Sequence, residues 1–350
     1  MRAVVRAAVT CGLCALLTAV GAREADAQET ATVVGHAVDA TTGERIGATV
    51  VLIADDPAVP PQLSGVTPGG LYHFEGVPRG TFRVQVLDAV TSVRFTVPPA
   101  NGVGEIDIFG RVMLPDLRVR RRDEALSVDE RSEKMLDGHD GRRVVGLLPL
   151  PVAALVRCGP HPPADVNTTA GRVYFLRGDR TPDGTECSDL YVMLFRTDGV
   201  IEEVPTLEVG YEHKAFIVLE RVGRRARIAL RNGSTWLTDA DAQAFVSYPT
   251  LVVDTLAFLR EGWDQRLWRT PGSAPPEAAS RVWLEQERYG VIDVDVLEVR
   301  VVGGQPWVHV RLAVDRCGGD PPPESTLPSG WVPAYRSSGA TNVWFYSRGC

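Results

Sequence analysis

The sequence predicts a mainly β protein: an N-terminal β-sandwich, a charged linker, then two tandem small β-barrel-like modules separated by one amphipathic helix. Three observations lead there. Short runs of alternating, β-branched-rich residues recur from about residue 32 to the end of the chain. Turn residues punctuate them, 34 glycines and 25 prolines in 350 residues. A sustained helical period stands out in one place, between Thr250 and Gln265. Many short strands, frequent turns and little helix belong to sandwiches and barrels.

Composition bounds the function. With 44% hydrophobic and 23% charged residues the chain is an ordinary globular protein, which excludes wholesale disorder, collagen and multi-pass membrane classes. Acids outnumber bases 44 to 37, for a net charge of −7. Phosphate affinity comes from clustered cations, so no nucleic-acid partner is expected. Arginine is used almost exclusively, with Lys134 and Lys214 the only lysines, a coding bias from which no function is drawn.

Residues 1–27 read as a signal peptide. Arg2 and Arg6 precede an apolar run from Ala7 to Gly21, and Ala25-Asp26-Ala27 supplies the small residues of a cleavage site after Ala27. The run is about 15 residues long, short of the ~20 that cross a bilayer, and no later stretch is long and apolar enough to span one. Thr10 before Cys11 and Leu13 before Cys14 do not fit a lipoprotein site. The expected product is exported, periplasmic or extracellular, with a net charge of −8. Export makes disulfides the reading for the four remaining cysteines, Cys158, Cys187, Cys317 and Cys350. Three pairings are possible, and the sequential one keeps each bridge within one predicted module. Cys158-Gly-Pro-His161 has ligand-like spacing, but no second pair follows it at zinc spacing.

Residues 29–115 carry the first sandwich. Strands are expected at 32–38, 47–53, 71–74, 81–86, 93–97 and 105–114, separated by turn clusters such as Asp39 to Glu44 and Gly76 to Gly80. Two blocks stand out: Gly35, Asp39, Thr42-Gly43-Glu44 and Ile46-Gly47-Ala48, reaching Val51; then Gly70, Tyr72, Phe74, Gly76-Val77-Pro78 and Gly80-Thr81-Phe82, reaching Val86. Together they resemble the carboxypeptidase regulatory-like domain, a seven-stranded prealbumin-like sandwich, over about 80 residues; Phe82 stands where tyrosine is usual. The resemblance implies a non-catalytic accessory beside a larger functional unit.

Residues 116–150 read as a solvated linker. Arg118, Arg120, Arg121 and Arg122 form a basic knot, followed by mixed charges and a short helix over about Ser127 to Leu136. The knot could meet anionic lipid or lipopolysaccharide phosphates, but nearby acids cancel its field. His139-Asp140 is a neighbour pair in a charged loop, a poor arrangement for a catalytic dyad.

The second half divides into β module one (151–240), a helix and loop (241–279) and β module two (280–350). Strands are expected at 173–176, 190–195, 206–209, 215–220, 225–230, 280–287, 290–302, 307–314, 330–334 and 342–347. Leu251, Val252, Leu256, Leu259 and Trp263 recur at three- and four-residue spacing and predict the dividing helix. An echo links the modules: each is a run of strands ending in a glycine closely followed by tryptophan, Gly233 and Trp236, then Gly330-Trp331. The Gly330-Trp-Val-Pro-Ala-Tyr335 and Val343-Trp-Phe-Tyr346 endings resemble bacterial Src-homology-three-like barrels over roughly 60 residues. The usual alanine-rich start is missing, and Cys317 to Pro323 is an insertion. Tyr335, Trp344 and Tyr346 form the candidate aromatic groove for a peptide or cell-wall polymer.

Catalytic signatures are absent from the sequence: there is no zincin, nucleophile-elbow, P-loop or dinucleotide pattern, and none of the six histidines are spaced i, i+4. Asp179, Asp183, Glu186 and Asp189 cluster beside Cys187, at spacings that suit calcium poorly. No cofactor, metal ligand or catalytic residue is expected. The leading reading is an exported, non-enzymatic envelope protein that binds or scaffolds a peptide, cell-wall polymer or protein through its C-terminal modules. The alternatives are an exported hydrolase using the acidic loop and a purely structural envelope subunit.

Overall fold

The computed structural model describes residues 30–64, 69–86, 92–97, 111–119, 128–151, 165–177, 190–210, 213–238, 244–273, 280–281, 292–313 and 328–347. The expected signal peptide, the expected disulfide cysteines Cys158, Cys187, Cys317 and Cys350, and the loop from Asp179 to Asp189 lie outside the described residues.

Among the described residues, eight strands build the N-terminal part: β1 (Thr30–Asp39), β2 (Val50–Ala54), β3 (Gln62–Ser64), β4 (Leu71–Pro78), β5 (Gly80–Val86), β6 (Ser92–Val97), β7 (Arg111–Met113) and β8 (Leu117–Val119). One sheet centres on β1, paired antiparallel with β4 and in parallel with β7 and then β8. The other runs β3-β2-β5-β6, antiparallel throughout. The strand period of two decides what lies between them. Along β5, Phe82, Val84 and Val86 are buried while Thr81, Arg83 and Gln85 are not, and the first three join Val33, Leu52, Tyr72 and Phe74 in one core. The expected β-sandwich is therefore present, and its last strand lies beyond residue 115.

The second half continues with α1 (Val128–Met135), β9 (Gly146–Pro149), β10 (Asp165–Asn167), β11 (Gly171–Arg177), β12 (Leu190–Arg196), β13 (Ile201–Glu203), β14 (Thr206–Gly210), β15 (His213–Val222), β16 (Arg225–Ala229) and β17 (Ser234–Leu237). It ends with β18 (Val246–Ser247), α2 (Tyr248–Val252), β19 (Leu256–Leu259), β20 (Arg266–Leu267), β21 (Ser280–Arg281), β22 (Ile292–Val302), β23 (Gln305–Leu312), β24 (Ser329–Pro333) and β25 (Val343–Phe345). The small β20–β21 pair stands apart from three main sheets: β10-β11-β12-β13; a central β17-β16-β15-β9-β18 sheet with β14 also on β15; and β24-β23-β22-β19-β25.

The central sheet is buried on both faces. Ala215, Phe216, Ile217, Val218 and Leu219 are consecutive and all buried. Ala215, Ile217 and Leu219 face a core shared with Val294, Val308 and Val310 of the last sheet. Phe216 and Val218 face a core shared with Val173, Phe175 and Leu194 of the first. In β9, Leu147 joins the former and Leu148 the latter. A run without a polar face is the signature of a strand covered on both sides.

Three expectations are corrected in detail. No sheet of the described residues closes into a barrel; a central sheet apolar on both faces makes a layered stack instead. Both ends of the stretch read as a linker are structural: β8 pairs with β1, and β9 lies inside the central sheet, with Leu136 and Val144 buried nearby. The helix expected over Thr250 to Gln265 is only the five residues of α2, capped by the Ser247 side chain with Pro249 in its first turn. Asp254 then takes a positive φ of 57° and the chain becomes β19, paired with β22 and β25.

Candidate functional site

A cleft of about 650 Å³ opens between the central and last sheets, and arginines line it. Its first wall is a turn. Asp140 and Gly141 both take positive φ, 52° and 66°, as a two-residue hairpin turn of type I′ requires. His139 and Arg142 close it with reciprocal backbone hydrogen bonds of 3.1 and 2.8 Å. His139 Nε2 lies 2.6 Å from the Gly233 carbonyl, an acceptor to which that nitrogen donates, and this ties the turn to the central sheet. The turn delivers Arg142 and Arg143. The end of β15 brings Glu220 and Arg221, and the loop after β24 brings Tyr335 and Arg336. Val145, Leu219 and Phe245 add an apolar lining.

Among the described lining residues, positive groups outnumber negative ones. Glu220 Oε2 lies 3.2 Å from Arg142 Nη1 and 3.1 Å from Arg227 Nε, so one carboxylate serves two guanidinium groups. Arg143 sits over the Tyr335 ring, 5.2 Å from its centre, and Arg221 over Phe245 at 4.6 Å. Arg336 donates from Nε to Asn342 Oδ1 at 2.9 Å and from a second nitrogen to the Glu261 carbonyl, both neutral acceptors. Among the described residues, four guanidinium groups line the cleft against one lining carboxylate, on a chain whose net charge is −7. Guanidinium groups held against rings and amides present planar donor forks with little freedom left to lose, a geometry that matches carboxylate or phosphate oxygens.

No protein-family model matches this chain, and no curated protein matches it. Among solved structures, it is similar to BcpA, the major pilin subunit of Bacillus cereus, over 26% of this chain and 30% of that one, at 13% identity and a TM-score of 0.20. It is also similar to the full-length major pilin SpaD from Corynebacterium diphtheriae, over 87% of this chain and 91% of that one, at 11% identity and a TM-score of 0.21. TM-scores of this size assign the chain to neither fold.

Of the three aromatic residues predicted to form a groove, only Tyr335 borders the cleft. It is 5% exposed, its ring lies 5.1 Å from that of Tyr248, and its hydroxyl donates to the Val144 carbonyl at 2.6 Å. Burial pushes that hydroxyl's pKa well up. Trp344 is equally buried and packs on Tyr248 and Phe345. Tyr346 is half-buried, donates to Asp293 at 2.7 Å and packs on Phe258. These rings are spread between core and sheet surface, so they do not combine into one exposed groove. Among the described residues no group of three or more metal-ligating side chains comes together, and no helix is long and apolar enough to cross a membrane. The sequence reading missed Arg142, Arg143, Arg221 and Arg336 because the fold gathers them from distant segments. The available signal was Asp140-Gly141, a hairpin dipeptide just ahead of two arginines and an apolar run.

Proposed function

We propose that this protein is an exported component of a bacterial envelope that binds a partner rather than transforming one, with the arginine-lined cleft as its recognition surface. The cleft carries the reading: it concentrates positive charge on rigid supports in an otherwise acidic chain. The N-terminal sandwich serves as an accessory, as its resemblance to carboxypeptidase regulatory-like domains implies. Peptide, cell-wall polymer and envelope protein are the partner classes this reading covers. Immobilised mature protein is expected to retain material from envelope extract or purified peptidoglycan, and Arg143→Glu is expected to abolish retention. A folded wild-type chain that retains nothing from either overturns it.

Export and disulfide formation belong to the same proposal. Intact mass of the secreted product, before and after reduction and alkylation, is expected to show cleavage after Ala27 and two bridges among Cys158, Cys187, Cys317 and Cys350. Four free thiols would remove the oxidising-compartment argument.

A further inference from the structure

We infer that the cleft takes an acidic peptide, a short segment in which carboxylate side chains alternate with apolar ones. This rests on the reading of the cleft as the recognition surface and names its ligand class. Charge supplies the first part of the argument. Glu220 is already shared by Arg142 and Arg227. No carboxylate of the described residues pairs with Arg143, and Arg336 directs its donors to an amide and a backbone carbonyl. Among the described residues neither of these guanidinium groups has a carboxylate partner, and an incoming carboxylate can accept two parallel hydrogen bonds from the Arg143 fork.

The apolar lining supplies the second part. Phe245 lies in the same cleft under the Arg221 guanidinium, so cationic and apolar surfaces alternate over a few ångströms. A phosphate polymer offers anions with no side chains to cover that surface. A lipid headgroup layer keeps its apolar part beneath its anions. A peptide alternating acidic and apolar residues satisfies both at once. The volume of about 650 Å³ falls within the ~300–1,000 Å³ of clefts that take small ligands, so a short segment fills it.

The test is fluorescence anisotropy on the full mature chain, with a labelled hexapeptide alternating glutamate and leucine. Saturable binding that weakens with salt is expected, and no binding when glutamine replaces glutamate. Arg143→Gln, a change at an exposed residue, is expected to weaken binding about tenfold. Glu220→Gln is expected to tighten it several-fold by removing the carboxylate that Arg142 and Arg227 share. These opposite signs separate charge recognition from damage to the fold. Tighter binding of polyphosphate or anionic vesicles than of the glutamate peptide overturns the ligand class, as does equal binding of the glutamine peptide. Should Arg143→Glu still abolish envelope retention while the peptide fails to bind, only the ligand class falls. Should neither readout respond to Arg143, the recognition cleft falls as well.

Discussion

Tyr72 and Tyr335 are both buried, and their hydroxyls meet opposite circumstances. Tyr335 donates to the Val144 carbonyl at 2.6 Å, whereas the Tyr72 hydroxyl has no hydrogen-bond partner among the described residues. An unsatisfied buried hydroxyl costs about 1–3 kcal/mol, and a satisfied one contributes about 1 kcal/mol. Tyr72→Phe is therefore expected to raise the unfolding free energy by about 1 kcal/mol, and Tyr335→Phe to lower it by a similar amount, both read from denaturant midpoints at constant slope. A destabilised Tyr72→Phe chain would reveal a partner for that hydroxyl. Gly35 explains how the ring fits: a Cβ there would run into the Tyr72 hydroxyl, so Gly35→Ala is expected to cost about 1–3 kcal/mol by overpacking. His309 gives a pH effect. It stacks on Trp331 with ring centres 4.9 Å apart, and its pKa is lowered by burial first and by Arg300, against the opposing pull of Glu298. The unfolded chain then holds more protons on this group just below its ordinary value of about 6.5. Its contribution is present above that pH and is lost as pH falls toward the lower folded value. His309→Gln is expected to flatten the stability profile in that window, and an unchanged slope would assign the titration to another group.

At the scale of elements, β15 decides the architecture. Phe216 and Ile217 are neighbours in sequence yet belong to separate cores. Phe216→Ala is expected to cost about 3–5 kcal/mol and Ile217→Ala about 2–5 kcal/mol. Adjacent residues usually couple, but these two face different clusters, so the double variant is expected to match the sum of the singles to about 0.5 kcal/mol. A clear shortfall would mean the cores relax together through the backbone. This strand also shows what could be read beforehand. Ala215 to Leu219 was legible as a strand, but an unbroken apolar run does not say which sheets cover its two faces. β5 was legible with its facing, because Thr81, Arg83 and Gln85 mark the outer side. β9 was hidden: Gly146-Leu-Leu-Pro149 is short and follows a dense charge run, so composition favoured a linker until its pairing with β15 and β18 is known. Leu251, Val252, Leu256, Leu259 and Trp263 mimicked a helical face, but the β-branched Thr250, Val252, Val253 and Thr255 weaken a helix there. Ala257 and Leu259 instead bury in alternation within a sheet. The candidate site was least legible, since its arginines converge only once β15, the Asp140-Gly141 turn and the loop after β24 are in place.

At the scale of the molecule, the cores divide into two sets with no residue in common. The sandwich from β1 to β8 has one core of its own. The remaining layers have two cores, and every strand of the central sheet that contributes to one is hydrogen-bonded to strands contributing to the other. Cooperativity follows shared structure: β15 cannot leave one core without opening the second, whereas the N-terminal core can open without exposing either. Two thermal transitions are therefore expected, one for the sandwich and one for the layered stack. Val84, fully buried in the sandwich, and Phe216, buried in the stack, provide separate handles. Val84→Ala should lower only the first transition, by roughly 10 °C, if it costs about 2 kcal/mol in a unit of under 100 residues. Phe216→Ala should lower only the second, and the calorimetric peak it moves should carry the larger enthalpy, because enthalpy scales with the number of residues unfolded. A single transition shifted by both substitutions would mean that the sandwich and the stack unfold as one unit, and that the contact between Arg83 and the Gly199 carbonyl at 3.2 Å belongs to a coupling interface rather than a passing touch.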